Sequence, residues 1–222
     1  MANQAQVPGI SVLAGTNGAG KSSVAGARFR AGGSDYFNPD EAARQIRSSS
    51  PSVTAADANA EAWNEGKHLL ERAISERLNF AFETTLGGNT IPALLDTALS
   101  AGLEVRIWFV GLASVDLHIA RVKARVEKGG HPIPEHKIRE RYDASRLNLI
   151  RLMPKLTELL IYDNSEEADP DSGVRPKPKL LLHMHSGRIV KSCDLVSVPK
   201  WATEILASAL KVHERPSSKH RR

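Results

Sequence analysis

The chain has 222 residues, 41% hydrophobic and 25% charged, which suffices for one large α/β domain with its own core. Its net charge is +5, but Lys219, Arg221 and Arg222 at its end supply three of the five excess charges, so the composition does not decide for nucleic acid. The single cysteine, Cys193, excludes an internal disulfide and a thiolate metal cluster. No apolar run approaches ~18 residues and no basic-then-apolar leader opens the chain, which predicts a cytoplasmic protein with no membrane partner.

The first predicted element is a buried strand, Ile10-Ser11-Val12-Leu13-Ala14. Gly15-Thr16-Asn17-Gly18-Ala19-Gly20-Lys21-Ser22 follows and fits G-x-x-x-x-G-K-[ST]. Residues 23–30 read as a short helix stopped by Gly32-Gly33, and 35–37 as a second short strand. Asn38 is a good N-cap for the next helix, with Pro39 at its first position and Glu41 placed for a capping box. A polar loop over 48–54 leads to a long alanine-rich helix over 55–77, with Trp63, Leu69, Leu70, Ala73 and Ile74 on helical spacing. The apolar strand Phe80-Ala81-Phe82 ends in Glu83-Thr84-Thr85. A helix over 91–101 stops at Gly102, and 105–112 is the clearest interior strand. Ser114 caps a helix to about 128 that Gly129-Gly130 ends. Residues 134–159 read as mainly helical and densely basic, 159–162 as a strand closing on Asp163-Asn164-Ser165, and 166–179 as a loop. A hairpin over 180–184 and 188–190 and a helix over 201–212 complete the reading. The basic tail from 215 is expected to lack fixed structure.

Strands alternating with helices imply a mainly parallel sheet with helices on both faces. With the glycine loop, this is a three-layer α/β P-loop NTPase/kinase fold with a basic helical lid over about 115–150. Residues 1–214 are expected to form one domain, including the late hairpin and helix over about 179–212. Ligands of such sheets gather at the carboxyl ends of the strands. Three predicted strands end there in polar residues, at Asn38–Asp40, Glu83–Thr85 and Asp163–Ser165.

The glycines of the loop let successive backbone N–H groups turn inward around phosphate oxygens, and the following helix adds partial positive charge. Lys21 would reach the β- and γ-phosphates, and the Ser22 hydroxyl would bind Mg²⁺. The nucleotide-binding stretch is taken as Gly15 through Ser22 together with Ser23. Asp40 is the candidate base for an acceptor hydroxyl; its alternative reading is an acid in the first turn of a helix, favourable to the macrodipole. Glu83 ends an apolar strand, where a carboxylate is costly unless it faces a cleft, Mg²⁺ or a substrate. Thr84 and Thr85 either donate to a substrate or cap the next helix. Arg121 and Arg125 share a helical face ahead of the Gly129-Gly130-His131 break, the layout of a closing lid; the alternative is a solvated basic face. Arg139, Arg141 and Arg146 read as surface or nucleotide-flanking residues, and His183 and His185 as structural.

In this order the motifs resemble the zeta-toxin family of P-loop kinases, in its short bacterial branch. The matching pieces are Ala14 through Ser23, Phe37-Asn38-Pro39-Asp40-Glu41, and Phe82-Glu83-Thr84-Thr85-Leu86. Beyond them come Arg121-Val122 with Arg125-Val126, Gly129-Gly130-His131-Pro132-Ile133-Pro134, Ile138-Arg139 with Arg141-Tyr142, and Tyr162-Asp163-Asn164-Ser165. The resemblance implies a kinase that uses ATP and Mg²⁺ to phosphorylate a sugar hydroxyl of a UDP-activated amino sugar, typically UDP-N-acetylglucosamine. It assigns activation of the acceptor to Asp40, contact with the substrate to Glu83, and stabilisation of the moving phosphoryl to Arg121. The family's second lid arginine corresponds to His131 here, a side chain mostly neutral at pH 7 that cannot grip a phosphate bidentately. A protein antitoxin is the partner the resemblance suggests.

Other readings keep the fold and change the acceptor, to a nicotinamide dinucleotide or a polynucleotide 5′ end. One removes the chemistry, leaving an ATP-binding regulatory module that recognises a partner through the C-terminal hairpin and helix. A transport ATPase of the ABC type is disfavoured by the short chain and the lack of an LSGGQ-like segment.

Overall fold

A computed structural model describes residues 7–22, 24, 36–167 and 177–215. Ser23 and nearly all of the helix expected over 23–30 lie outside the described residues, as do much of the 166–179 loop and the tail beyond 215.

The elements are β1 (Gly9–Ala14), β2 (Tyr36–Phe37), α1 (Pro39–Ser49), α2 (Ala55–Ser75), β3 (Phe80–Thr84), α3 (Thr90–Ser100), β4 (Glu104–Gly111), α4 (Val115–Glu127), α5 (Glu135–Leu152), β5 (Glu158–Asp163), β6 (Lys179–His185), β7 (Arg188–Ser192) and α6 (Thr203–His213). The seven strands form one sheet in the order β2-β3-β1-β4-β5-β6-β7. The five strands β2, β3, β1, β4 and β5 run parallel, and β6 and β7 close the far edge antiparallel.

Alternation along the central strands explains why both faces are covered. Ile10, Val12 and Ala14 of β1 join Phe80 and Phe82 of β3, Val105, Ile107 and Phe109 of β4, and Leu159 and Ile161 of β5 in the main core. Leu13, Ala81 and Val110 point to the opposite face with Ala19, as a period of two requires. Hydrophobic burial of this kind supplies about 25 cal/mol per Å² of apolar surface, and it fixes the register that aligns the strand ends. Ala14 pairs with Thr84 of β3 and Phe109 of β4, and Gly111 pairs with Asp163 of β5. The loops leaving β1, β2, β3, β4 and β5 therefore open at one edge of the sheet.

Two small clusters flank that edge. Ala43 of α1 packs on Ala58 and Ala62 of α2, where short side chains let the helices approach closely. Ile119 and Val122 of α4 pack on Ile138 of α5. The late hairpin and helix are built into the protein: β6 and β7 extend the sheet, and Trp201, Ile205, Leu206 and Ala209 lie in the main core. One element is shorter than its sequence pattern suggests. Helix α5 ends at Leu152 and passes into a single 3₁₀ turn, Met153–Lys155, because Pro154 has no N–H to continue the ladder.

Candidate active site

The glycine loop leaves β1 with backbone angles that side chains resist: Gly15 has φ 142° and Gly18 φ 85°. A Cβ on Gly18 would sit 2.6 Å from the His118 carbonyl oxygen, so the loop and α4 touch through backbone. Within the loop, Ala19 N–H donates to the Thr16 carbonyl (3.1 Å). Lys21 is buried and its Nζ donates to the Gly15 carbonyl at 2.8 Å, which folds the side chain back over the loop.

Glu83, at the end of β3, meets the same ammonium at 3.5 Å. Its Oε2 also accepts from Ser22 Oγ (3.1 Å), Tyr36 Oη (2.9 Å) and Asn38 Nδ2 (3.3 Å). Three donors and a cation satisfy a carboxylate whose side chain is only 11% exposed, which answers the desolvation cost foreseen for this position. Asn38 performs a second task. Its Oδ1 caps α1 by accepting from Asp40 N–H (2.9 Å) and Glu41 N–H (3.3 Å), so the cap ties the first turn of α1 to Glu83. The bond from Glu41 N–H to Asn38 Oδ1 is one half of the capping box expected here.

Asp40 stands in the first turn of α1, half-exposed, with Arg125 Nη1 of α4 3.4 Å from Oδ2. Arg125 Nη2 donates to the His131 carbonyl (3.0 Å), while its buried Nε has no partner among the described residues. The Gly129-Gly130 break is a C-terminal cap: Gly129 N–H donates to the Val126 carbonyl and Gly130 N–H to that of Arg125, both at 2.9 Å. His131 then reaches α2, where Asn59 Nδ2 donates to its Nε2 at 3.0 Å. Arg121, one turn before Arg125, donates to the carbonyls of Asn164 (2.9 Å) and Glu166 (3.3 Å) beyond β5. Asn164 Nδ2 donates in turn to the Ala19 carbonyl (2.8 Å). Arg121 is thus linked to the glycine loop through one residue.

Thr84 and Thr85 do not cap the next helix, which starts at Thr90 after Asn89; they stabilise the turn that leaves β3. Their hydroxyls accept from the N–H groups of Leu86 (3.2 Å) and Gly87 (3.3 Å), and both residues line a cleft. The turn they stabilise holds Leu86 at φ 58°, a conformation that costs a non-glycine residue about 1 kcal/mol.

Two clefts meet at Asp40. The first, about 490 Å³, lies between the end of β3, α2 and the start of α5, and is lined by Phe37, Trp63, Glu83, Thr84, His131 and Arg141. The second, about 870 Å³, lies between α1 and α4 and is lined by Ser22, Arg44, Arg47, Arg121, Arg125 and Lys128. Asp40, Asn59, His131 and Pro132 border both. One cleft is aromatic and polar, the other strongly cationic.

Arg141, read from sequence as a surface or nucleotide-flanking residue, flanks the glycine loop, whereas sequence reasoning passed over His118. Arg141 Nη1 donates to Asn17 Oδ1 at 2.8 Å, and Ser145 one turn later meets Thr16 Oγ1 at 3.2 Å. The i, i+4 spacing of Arg141 and Ser145 was a visible signal, but its target on another element was not. His118 of α4 is buried, and its Nδ1 lies 2.9 Å from the Asn17 carbonyl oxygen. Burial, reinforced by the charges of Lys21, Arg121 and Arg146, lowers its pKa from 6.5 to about 4 against the opposing effect of the bond to Asn17.

Among the described residues, no helix is long and apolar enough to cross a membrane. Parallel strands opening on a glycine loop, a buried lysine beside a carboxylate and a cationic helix make this an ATP-dependent kinase of the P-loop class. The zeta toxin family model matches residues 1–169, and the chain belongs to that family. An uncharacterised protein of Haemophilus influenzae is 35% identical over 132 residues, 58% of this chain and 88% of that one. Among solved structures, the AvrRxo1-ORF1:AvrRxo1-ORF2 complex with sulphate ions superposes with a TM-score of 0.61 at 15% identity, over 96% of this chain. The match spans 66% of that longer chain. The PezAT chromosomal toxin–antitoxin system of Streptococcus pneumoniae gives a TM-score of 0.58 at 15% identity, over 94% of this chain and 86% of that one. At such identities the superpositions establish a shared fold.

Proposed function

We propose that the chain transfers the γ-phosphoryl group of ATP to a sugar hydroxyl of a nucleotide-activated amino sugar, UDP-N-acetylglucosamine being the expected acceptor. The observation that carries this reading is the placement of Asp40. It borders both clefts, faces Arg125, and is joined through the Asn38 cap to the Glu83–Lys21–Ser22 cluster.

The loop amides and Lys21 hold the β- and γ-phosphates, replacing the contact of Lys21 with Glu83. Ser22 Oγ and the Glu83 carboxylate form a pair of hard oxygen donors 3.1 Å apart, a set suited to Mg²⁺, which keeps most of its other ligands as water and phosphate oxygens. When bound, Mg²⁺ neutralises charge on those phosphates. Asp40 accepts the proton of the acceptor hydroxyl. The hydroxyl oxygen bonds to the γ-phosphorus as the bond from phosphorus to the β–γ bridging oxygen breaks, and ADP leaves with that electron pair. Arg121 and Arg125 stabilise the moving phosphoryl from α4, where the unpartnered Nε of Arg125 leaves a donor for an anion. Glu83, Thr84 and Thr85 position the acceptor. The cationic lining of the second cleft suits the diphosphate of such a substrate.

The structural relatives belong to a two-component complex and a toxin–antitoxin system. By that likeness a protein antitoxin covering these clefts is the partner proposed, in the cytoplasm. The test is mass spectrometry of UDP-N-acetylglucosamine incubated with the protein, ATP and Mg²⁺. One added phosphate on the sugar is expected. ATP consumed only with another acceptor, such as a polynucleotide 5′ end, overturns the substrate; no consumption with any acceptor overturns the reaction.

A further inference from the structure

We propose that His118 is a positioning residue for the donor phosphates: its imidazole fixes the Asn17–Gly18 peptide plane and so aims the Gly18 N–H into the loop. The argument starts from donor and acceptor chemistry. A carbonyl oxygen only accepts, so the 2.9 Å contact between His118 Nδ1 and the Asn17 oxygen requires the proton on Nδ1. In a trans peptide the C=O and the next N–H point in opposite directions. Holding the Asn17 carbonyl against the buried imidazole therefore turns the Gly18 N–H away from α4.

Gly18 cannot hold that orientation by itself. At φ 85° it occupies a region where glycine has wide freedom, and nothing in its own side chain selects one peptide orientation. The ring that does select it is immobilised from other sides. His118 is 1% exposed and stands edge-on to Tyr142 of α5, with ring centroids 5.5 Å apart. Arg146 covers the Tyr142 ring at 4.1 Å. The backbone of His118 also abuts Gly18, so ring and backbone of one residue meet the Asn17 carbonyl and the adjoining Gly18 Cα, which lie on the same side of a trans peptide. Arg141 grips the Asn17 side chain independently, which leaves the peptide plane to His118. The charged and titratable groups around the ring are Lys21, Arg121, Arg146 and Tyr142. The cations favour the neutral imidazole, whose Nδ1–H tautomer the loop requires.

This inference rests on the reading of the loop as the ATP site. The test is calorimetric titration of the full chain with ATP and Mg²⁺, which needs no acceptor. Compared with wild type, His118→Phe keeps the ring contact with Tyr142 and removes the donor; it is expected to weaken ATP binding about tenfold or more with the melting temperature nearly unchanged. His118→Asn places an N–H close to the position of Nδ1 and is expected to restore affinity to within about threefold. Equal affinity of His118→Phe and wild type overturns the proposal, as does loss in His118→Asn equal to that in His118→Phe. A wild-type chain that binds no ATP overturns the donor-site reading and this proposal together. If His118→Phe does not fold, ¹⁵N spectra of the wild-type imidazole decide: a protonated Nδ1 that shifts on ATP addition is expected, and a bare Nδ1 overturns it.

Discussion

Two ion pairs border one site, Lys21–Glu83 beside the glycine loop and Arg125–Asp40 between the clefts, and they are held by different kinds of contact. Lys21 and Glu83 pair at side-chain exposures of 8% and 11%. Arg125 and Asp40 pair at 39% and 53%. Buried, fully bonded charges are costly to disturb, because removal of one partner strands the other. Exposed ion pairs contribute about 1 kcal/mol at most. The Lys21–Glu83 contact is therefore given up only for contacts of comparable strength, such as those to phosphates, whereas the contacts across Asp40 can be exchanged for contacts to substrate at little cost. An exposed pair at Asp40 opposes the approach of a substrate less than a buried one would.

The sharpest way to break the comparison is Lys21→Ala. Loss of the ammonium should lower turnover by roughly 10³-fold or more, measured as ATP consumption with acceptor. Asp40→Asn should lower kcat by about 10²- to 10⁴-fold while ATP affinity is kept; wild-type turnover in this variant would remove Asp40 from its assigned role. A third test concerns the buried side alone. His118 has its pKa lowered from 6.5 to about 4 in the folded protein, so the unfolded chain binds its proton first as pH falls. Its contribution to stability is complete above pH 6.5 and declines between pH 6.5 and 4, by about 3 kcal/mol in total. Denaturant unfolding across that range should show the decline in wild type and lose this component in His118→Asn. The smallest effect is expected from Arg125→Ala on stability. Its pair with Asp40 is exposed, so unfolding free energy should change by less than about 1 kcal/mol, while kcat falls much further. A large loss of stability would mean that the Arg125–Asp40 pair is as firmly built as the Lys21–Glu83 pair.

Much of this architecture was legible beforehand because it is written locally. Strand β1 is a short apolar run, the loop glycines occur at the required spacing, and Asn38-Pro39 marks the start of α1 without reference to any other element. The same holds for the end of α4 at Gly129-Gly130. Glu83 stood out because a carboxylate at the end of an apolar strand needs partners, even though those partners could not be named. Arg141, whose partner was not foreseen, and His118, which was not singled out at all, were hard to read for the opposite reason. Each lies on a helix whose own pattern is ordinary, and its role depends on a backbone or amide more than 100 positions away in sequence. Likewise, the basic residues of α4 differ only in what they touch: Arg121 meets carbonyls beyond β5, and Arg125 meets Asp40.

The sequence by itself determined the central strands, the glycine loop and the polar strand ends that gather at one edge. These follow from side-chain period, glycine conformational freedom and capping, all of which act over a few residues. Only the tertiary structure decided that Asp40 borders two clefts, that Glu83 rests on Lys21 and Ser22, and that His118 grips the Asn17 carbonyl. Those pairings depend on sheet register and helix packing, which bring together groups that no local pattern relates.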